Sequence, residues 1–136
     1  MDIRNVTSHF AVAPQIQPAD LSVVADRGFV AVVCNRPDGE EKTQPSIAEM
    51  RAAAQASGLA FHHIPVSGGE FPEAAIAGFR AIRRGTEGPV LAYCRTGTRS
   101  ITLDTLANPD EIEPTDRLTR ASAAGYDLTN LSDKLT

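Results

Sequence analysis

The segment with the strongest chemical character is VLAYCRTGTRS, residues 90–100, in which an apolar run ends at a cysteine and a short loop follows. Cys94 offers a thiol that becomes a strong nucleophile when ionised, and Arg99 supplies a permanent positive charge nearby. Gly97 lets the loop curl without a Cβ obstructing a bound group. This spacing predicts a loop that holds an anion beside a reactive thiol.

The remaining residues of this loop support the same prediction. Arg95 could add a second positive charge, and Ser100 could cap a following helix or donate its hydroxyl to the sulfur. In a strand–loop–helix unit, backbone N–H groups point into the loop and favour both a bound anion and a thiolate. We therefore predict that Cys94 and Arg99 are catalytic and that the anion loop also contains Arg95, Thr96, Gly97, Thr98 and Ser100. On a purely structural interpretation, Cys94 is a buried strand-end cysteine, Gly97 a plain turn and Arg99 a solvated charge.

The elements that must position this loop alternate between strand-like and helix-like segments, a pattern typical of helices packed on a mainly parallel sheet. Apolar runs predict strands within HFAVAPQI, FVAVVC, LAFHHIPV and GPVLAY. The intervening segments have helical spacing of apolar residues and end at glycine, which predicts helices. The predicted fold is α/β, with a central, mostly parallel sheet of about four strands flanked by helices. A further helix is predicted over about 114–124.

The expected place of the loop follows from this fold, because ligands of open parallel α/β sheets bind beyond the carboxyl ends of the strands. Cys94 lies at such an end. The strand FVAVVC ends at Cys34, on the same edge of the predicted sheet. If the two sulfurs can meet, Cys34 could resolve an oxidised or persulfidated Cys94 as a disulfide. As an alternative, Cys34 is a small core residue.

Length and composition restrict the class of protein. The 136 residues, 42% hydrophobic and 22% charged, are enough for one folded domain over 1–136. A net charge of -4 argues against a general nucleic-acid or anionic-membrane binder. No apolar run approaches the roughly 18 residues of a membrane-spanning helix. With two cysteines and no apolar N-terminal segment, the chain is expected to be cytoplasmic.

Metal and cofactor sites are not predicted. His62 and His63 are adjacent on a strand and must point to opposite faces, so they cannot bind one metal together, and His9 stands alone. No glycine-rich nucleotide loop is present. Arg36 and Asp38, in the polar loop NRPDGE, could contact a substrate carboxylate or pair with each other.

Four segments, QIQPADL, GFVAVVCNRPDGE, FHHIPVSGGEF and GPVLAYCRTGTRS, resemble the phosphatase-like domain of the beta-lactamase hydrolase-like protein family. The resemblance covers about residues 3–106. This bacterial family is similar in fold to dual-specificity phosphatases and is often described as a family of sulfur transferases. The resemblance implies a cysteine-phosphatase-like three-layer fold, with Cys94 as the nucleophile and Arg99 in the anion loop.

Loop length bears on which reaction is expected. The phosphatase signature has its arginine six positions after the cysteine and a histidine before it, whereas Arg99 follows Cys94 by five positions and Tyr93 precedes it. The shorter loop is similar to that of rhodaneses. We therefore expect a cysteine-dependent sulfur transferase that moves a sulfane sulfur from thiosulfate or a small persulfide, through a Cys94 persulfide, to an acceptor thiol.

Two alternatives remain open. The first is a phosphatase that acts on a phosphoester through a cysteinyl-phosphate. It needs a general acid, and the loop SGGEF offers only Glu70, for which a role as a surface charge or helix-entry residue is favoured over acid catalysis. The second is a non-enzymatic redox or persulfide sensor built on Cys94. The sequence leaves the oligomeric state open.

Overall fold

The computed structural model describes all 136 residues, Met1–Thr136. The strands, in chain order, are β1 (Arg4–Thr7), β2 (Phe10–Ala13), β3 (Ala31–Cys34), β4 (Ala60–His63) and β5 (Val90–Tyr93). The α-helices are α1 (Leu21–Asp26), α2 (Ile47–Ala56), α3 (Glu73–Gly85), α4 (Thr98–Ala107) and α5 (Pro114–Ala123), and short 3₁₀ helices occupy Pro18–Asp20 and Thr129–Lys134. None of the helices combines the length and the apolar character needed to cross a bilayer.

The five strands form one sheet in the order β1-β2-β5-β3-β4. All neighbouring strands are parallel except β1, which pairs antiparallel with β2. The predicted α/β class and the mostly parallel sheet are confirmed, but the expected number of about four strands is one too few. The sequence of β1, RNVT, contains no apolar run because the strand lies at the exposed edge of the sheet, so only its pairing with β2 identifies it.

Alternate residues of the central strands enter two separate hydrophobic clusters, one on each face of the sheet. Val12, Val33 and Ala92 contribute to the cluster that α3, α4 and α5 cover. Val32 and Leu91 contribute to the cluster that α1 and α2 cover. The two-residue period of strands produces this division, and the result is a three-layer structure with helices on both faces.

The helix that follows the Cys94 loop begins earlier than its sequence suggests. The segment SITLDTLAN predicts a helix from Ser100, whereas α4 begins at Thr98, with Gly97 as its N-cap. Arg99 therefore lies in the first helical turn and not in the loop. The helix predicted over about 114–124 is α5, which begins with a proline at its first position, as helix starts often do.

A buried ion cluster joins α3 to α4. The Arg83 guanidinium pairs with Asp104 and lies 4.4 Å from the centre of the Phe10 ring. Arg120 of α5 lies 3.4 Å from the same carboxylate. Burial raises the pKa of Asp104 to about 6, and the two arginines oppose that rise. The cluster links α3, α4 and α5 in the helical layer beside the Cys94 loop.

Candidate active site

Cys94 directly follows β5, and both neighbouring strands fix its position. Its N–H donates to the Ala13 carbonyl of β2 at 3.4 Å. On the other side, the Asn35 N–H donates to the Tyr93 carbonyl at 2.9 Å. The parallel pairing of β5 between β2 and β3 therefore places the cysteine at the carboxyl edge of the sheet, as expected for a ligand site.

The loop after Cys94 is built to hold negative charge. The Gly97 N–H lies 3.1 Å from the Cys94 sulfur. The backbone N–H groups of Arg95, Thr96, Arg99 and Ser100 donate to no acceptor within the protein. Unpaired N–H groups at the start of a helix form an anion-binding site, because their dipoles add and no internal acceptor competes. The arrangement suits a thiolate together with a bound oxyanion.

Gly97 is required at its position for two reasons. Its backbone is left-handed, with φ of 94°, which disfavours residues with a side chain. A Cβ at this position would also lie 2.2 Å from the Tyr126 hydroxyl. That hydroxyl donates to the Thr96 carbonyl at 3.0 Å. The loop is therefore held from outside by a tyrosine that follows α5.

Tyr126 is itself held by the N-terminal strand. The Arg4 guanidinium lies 5.9 Å from the centre of the Tyr126 ring, and its Nη1 donates to the Ala124 carbonyl at 3.2 Å. Sequence reasoning did not identify Tyr126, because nothing in the local sequence connects it to a loop 30 residues earlier.

Arg99 is oriented by a carboxylate that sequence reasoning also missed. Its two terminal nitrogens each donate to one oxygen of Glu40 at 2.9 Å, and Nη1 also donates to the Val66 carbonyl at 2.9 Å. The bonds to Glu40 are the main reason that the pKa of Arg99 is raised, and the nearby Cys94 sulfur adds to this effect. Arg99 holds the pKa of Glu40 down to about 2. Glu40 lies in a polar loop, and its sequence gives no sign of this role.

Arg36 supports Glu40 from behind. Its side chain is only 3% exposed, its Nε lies 2.7 Å from Glu40, and it also pairs with Glu41. The suggestion that Arg36 pairs with Asp38 is wrong. Asp38 instead accepts a hydrogen bond from the Ile47 N–H at 3.2 Å, at the start of α2. Arg36 is therefore a structural residue, which is buried and holds the Glu40 carboxylate in place.

The other predicted loop residues have distinct positions. The Arg95 side chain is 68% exposed and lies 3.3 Å from Glu41, with which it forms an ion pair. The Thr96 hydroxyl donates to that of Thr98 at 3.1 Å. Ser100 is neither the helix cap nor a donor to sulfur. It is buried inside α4, where its hydroxyl donates to the Asn35 side-chain oxygen at 2.8 Å and ties the helix to the end of β3.

Cys34 lies beside Tyr93 in the register of β3 and β5. Both cysteines are free thiols, and the Cys34 thiol donates to the Arg36 carbonyl at 3.6 Å. Burial raises the pKa of Cys34, and the charge of nearby Cys94 raises it further. Because both cysteines are free thiols here, a disulfide between them stays a prediction.

The hydrogen bonds of His9 and His63 are made to Ser8 and Arg36 and not to the anion loop. The His63 ring nitrogen Nε2 lies 2.8 Å from the Arg36 carbonyl, and partial burial lowers the pKa of His62. The structure contains no group of three or more histidine, cysteine or acidic residues that could hold a metal ion.

Glu70 lies on the loop between β4 and α3 and lines an open groove that also contacts Thr98 and Arg99. Its backbone N–H donates to the Ser67 carbonyl at 3.2 Å, which closes a turn. The side chain is exposed and free of ion pairs. Glu70, the acid of the loop SGGEF, therefore lines the same groove as Arg99.

Solved structures of other proteins share this arrangement of elements. A crystal structure from Neisseria meningitidis, described as a candidate phosphatase, has 35% sequence identity and a TM-score of 0.85, covering 99% of this chain and 96% of its own. The active form of Tk-PTP has 22% identity and a TM-score of 0.74, covering 98% of this chain and 92% of its own. The predicted cysteine-phosphatase-like fold is confirmed.

The family relationship is visible in the sequence comparison. The family model for the phosphatase-like domain of beta-lactamase hydrolase-like protein matches residues 2–111. The beta-lactamase hydrolase-like protein of Agrobacterium fabrum is 36% identical over 125 residues, which cover 90% of this chain and 29% of that protein. The chain therefore spans less than a third of the length of the curated relatives that it matches.

These comparisons correct the predicted reaction. The family is named for a phosphatase-like domain, the structure with 35% identity is described as a candidate phosphatase, and no sulfur transferase is among these matches. The prediction of a rhodanese-like sulfur transferase was wrong; it relied on loop length and on the loop SGGEF, which offers only Glu70 as a general acid. Arg99 approaches Cys94 from the first turn of α4, so one loop residue fewer does not remove the arginine from the site. The resemblance of the four segments is confirmed: the chain belongs to the family of beta-lactamase hydrolase-like protein, phosphatase-like domain.

Proposed function

We propose that this chain is a phosphoric monoester hydrolase that works through a cysteinyl-phosphate on Cys94. The observation that carries the proposal is the group of four unpaired backbone N–H groups around Cys94, at residues 95, 96, 99 and 100, with the Arg99 guanidinium beside them. The description of the 35% identical structure as a candidate phosphatase supports the same reaction.

The hydrogen bonds of Arg99 leave it donors for a phosphate. A guanidinium has five N–H donors, and three of those in Arg99 bind Glu40 and Val66. The Nε–H and one Nη2–H remain available. Because Glu40 fixes the plane of the guanidinium, these donors are preorganised for oxyanion binding, and little side-chain entropy is lost when phosphate binds.

The reaction has two steps. In the first, the Cys94 thiolate attacks phosphorus, an S–P bond forms, and the P–O bond to the leaving alcohol breaks. We assign Glu70, in the groove beside Arg99, as the acid that donates a proton to the leaving oxygen. In the second step, the Glu70 carboxylate takes a proton from water, the water oxygen attacks phosphorus, and the S–P bond breaks. Inorganic phosphate leaves and the thiolate is restored.

Substrate binding must also change the loop. Cys94 has no exposed surface in this arrangement. Phosphorus can reach the sulfur only when the segments that cover it move, and we expect the loop of residues 95–97 to widen. Gly97 is the residue with the backbone freedom to permit this.

The test is hydrolysis of phenyl phosphate by the wild-type protein and by Cys94→Ser, with Cys34→Ser as the matched control. Turnover should be abolished in Cys94→Ser and retained in Cys34→Ser. Rapid acid quenching followed by intact-protein mass measurement should detect a phosphoryl group on Cys94. Turnover that survives in Cys94→Ser, or the absence of turnover in the wild type, would show that the proposal is wrong.

The role of Glu70 is tested with two leaving groups. Glu70→Gln should lower kcat/KM for phenyl phosphate by about 10²-fold or more, since general acid catalysis contributes at least that much and kcat/KM reports only the first step, formation of the cysteinyl-phosphate. With 4-nitrophenyl phosphate, whose leaving group needs little protonation, the loss should be far smaller. Equal losses with both substrates would exclude Glu70 as the acid.

A further inference from the structure

The groove that contains Glu70 continues well beyond the anion site. It has a volume of about 960 Å³ and runs between α4, the start of α3 and the C-terminal 3₁₀ helix. Five apolar residues line it: Phe71, Ile76, Leu106, Leu128 and Leu131. Its volume is in the range typical of small-molecule sites.

The floor of the groove is continuous with the anion loop. Thr98, Thr102 and Leu106 all line it, and their spacing of four residues places them on one face of α4. Arg99 lies in the same first turn and lines the same groove. Eight residues of α-helix span about 12 Å. A substrate whose phosphate binds at Arg99 can therefore extend about this far along α4.

The walls combine apolar surface with a weakly charged rim. Phe71, Ile76 and Leu106 pack against the core but are only partly buried, so each presents apolar surface to the groove. The rim carries two carboxylates, Glu70 and Asp127, against the single ammonium of Lys134. This charge balance disfavours a substrate with further anionic groups beyond its phosphate.

We propose that the groove binds the apolar part of the substrate, so that the substrate is a small phosphomonoester of a bulky apolar alcohol or phenol. The inference rests on the proposed phosphatase function. The phosphate occupies the anion loop, and the alkyl or aryl part covers Phe71, Ile76 and Leu106. Burial of apolar substrate surface in this groove supplies the selectivity over small polar phosphoesters.

The test measures binding of non-hydrolysable 4-alkylphenyl phosphonates, from methyl to butyl, to the intact protein by calorimetry. The headgroup is constant along the series, so differences in affinity report only on the alkyl chain. Affinity should rise about fourfold for each methylene that the groove buries. Leu106→Asn and, on the loop, Phe71→Ser should flatten the rise. Val23→Asn, an exposed apolar position on α1, should leave it unchanged.

The outcomes separate the inference from the proposed function. A constant affinity along the series, or an unchanged rise in both groove variants, overturns the inference even if phenyl phosphate is hydrolysed. A rise in affinity that both groove variants abolish supports the inference. In that case, the absence of hydrolysis would overturn only the phosphatase proposal.

Discussion

At the scale of single residues, the site depends on a chain of charges, Arg36–Glu40–Arg99, that ends at the anion loop. Arg36 is buried and binds Glu40, and Glu40 binds both terminal nitrogens of Arg99. Charge-assisted, bidentate bonds of this kind fix orientation as well as adding energy. Glu40 is therefore a positioning residue that acts through Arg99.

Replacement of Glu40 should weaken catalysis, because Arg99 loses the partner that orients it. Glu40→Gln should reduce kcat/KM for phenyl phosphate by about tenfold or more, because hydrogen bonds to charged groups contribute about 1.5–3 kcal/mol. Glu87→Gln, an exposed position, serves as the control. Unchanged kcat/KM in Glu40→Gln would show that Arg99 does not need this partner.

The same carboxylate gives a pH dependence of stability. The pKa of Glu40 is lowered in the folded state from 4.5 to about 2, chiefly by Arg99. A lowered folded-state pKa stabilises the protein above the unfolded pKa, and this stabilisation is lost as pH falls from about 4.5 towards about 2. Urea unfolding should show wild type more stable than Glu40→Gln at pH 6, with the difference shrinking towards pH 2. A difference that does not change with pH would contradict this.

The two cysteines should differ in reactivity. Cys94 lies beside the Gly97 N–H and the Arg99 guanidinium, and reactive cysteines typically lie in electropositive surroundings of this kind. Burial among apolar residues raises the pKa of Cys34, so its thiolate is scarce at neutral pH. Brief iodoacetamide treatment at pH 7 should modify Cys94 first, once widening of its loop exposes the sulfur, as read by peptide mass mapping. Modification of Cys34 first, or at an equal rate, would contradict the assignment of Cys94 as the nucleophile.

At the scale of elements, the loop after Cys94 is fixed by segments far from it in sequence. Tyr126, after α5, donates to the Thr96 carbonyl, and Arg4 of β1 packs on the tyrosine ring. The loop therefore connects the N-terminal strand, β5, α4 and the segment after α5. A change in any of these elements can reach the Gly97 N–H that faces the sulfur.

Removal of the tyrosine hydroxyl tests this support. Tyr126→Phe keeps the ring but loses the bond to Thr96, so kcat/KM should fall by about 2- to 10-fold, the value of one ordinary hydrogen bond. Thermal unfolding should change little, since the bond is at the surface. Arg51→Lys, on α2, is a control whose kcat/KM should be unaffected. Unaltered kcat/KM in Tyr126→Phe would show that the loop does not depend on the tyrosine.

The buried cluster between α3 and α4 should matter for stability. Arg83→Met leaves Asp104 buried with Arg120 as its remaining partner, and loss of one partner of a buried pair costs about 3–5 kcal/mol. Arg84→Met is the matched control, since Arg84 pairs with Glu111 at the surface, where such pairs contribute about 1 kcal/mol or less. Free energies of unfolding in urea distinguish the two. Equal losses would show that burial of the Arg83 pair is unimportant.

At the scale of the whole molecule, ligand binding and folding are linked through the anion loop. Inorganic phosphate at about 100 times its Kd should stabilise the protein by about 2.7 kcal/mol, because it binds only the folded loop. Arg99→Lys should lose most of this gain, since lysine lacks the planar fork of the guanidinium. Thermal unfolding with and without phosphate measures the effect. An equal gain in wild type and Arg99→Lys would place phosphate elsewhere.

Local spacing and periodicity were sufficient to determine several features from the sequence. The alternation of apolar runs and helical segments predicted an α/β fold with a mostly parallel sheet, because burial on both faces of a strand leaves a continuous apolar run. Cys94, Gly97 and Arg99 lie within six residues, so their convergence depends on one short loop. The family resemblance also rested on short contiguous segments, such as GPVLAYCRTGTRS.

The tertiary structure alone decided what lies around that loop. Glu40 meets Arg99 across 59 residues and Tyr126 meets Thr96 across 30, and β1 exists only through its pairing with β2. The helix start at Thr98 brings Arg99 near Cys94 despite the short loop, which the residue count could not reveal. The groove along α4 forms only when three distant segments pack together. Contacts of this kind depend on chain topology and burial, and no local period in the sequence records them.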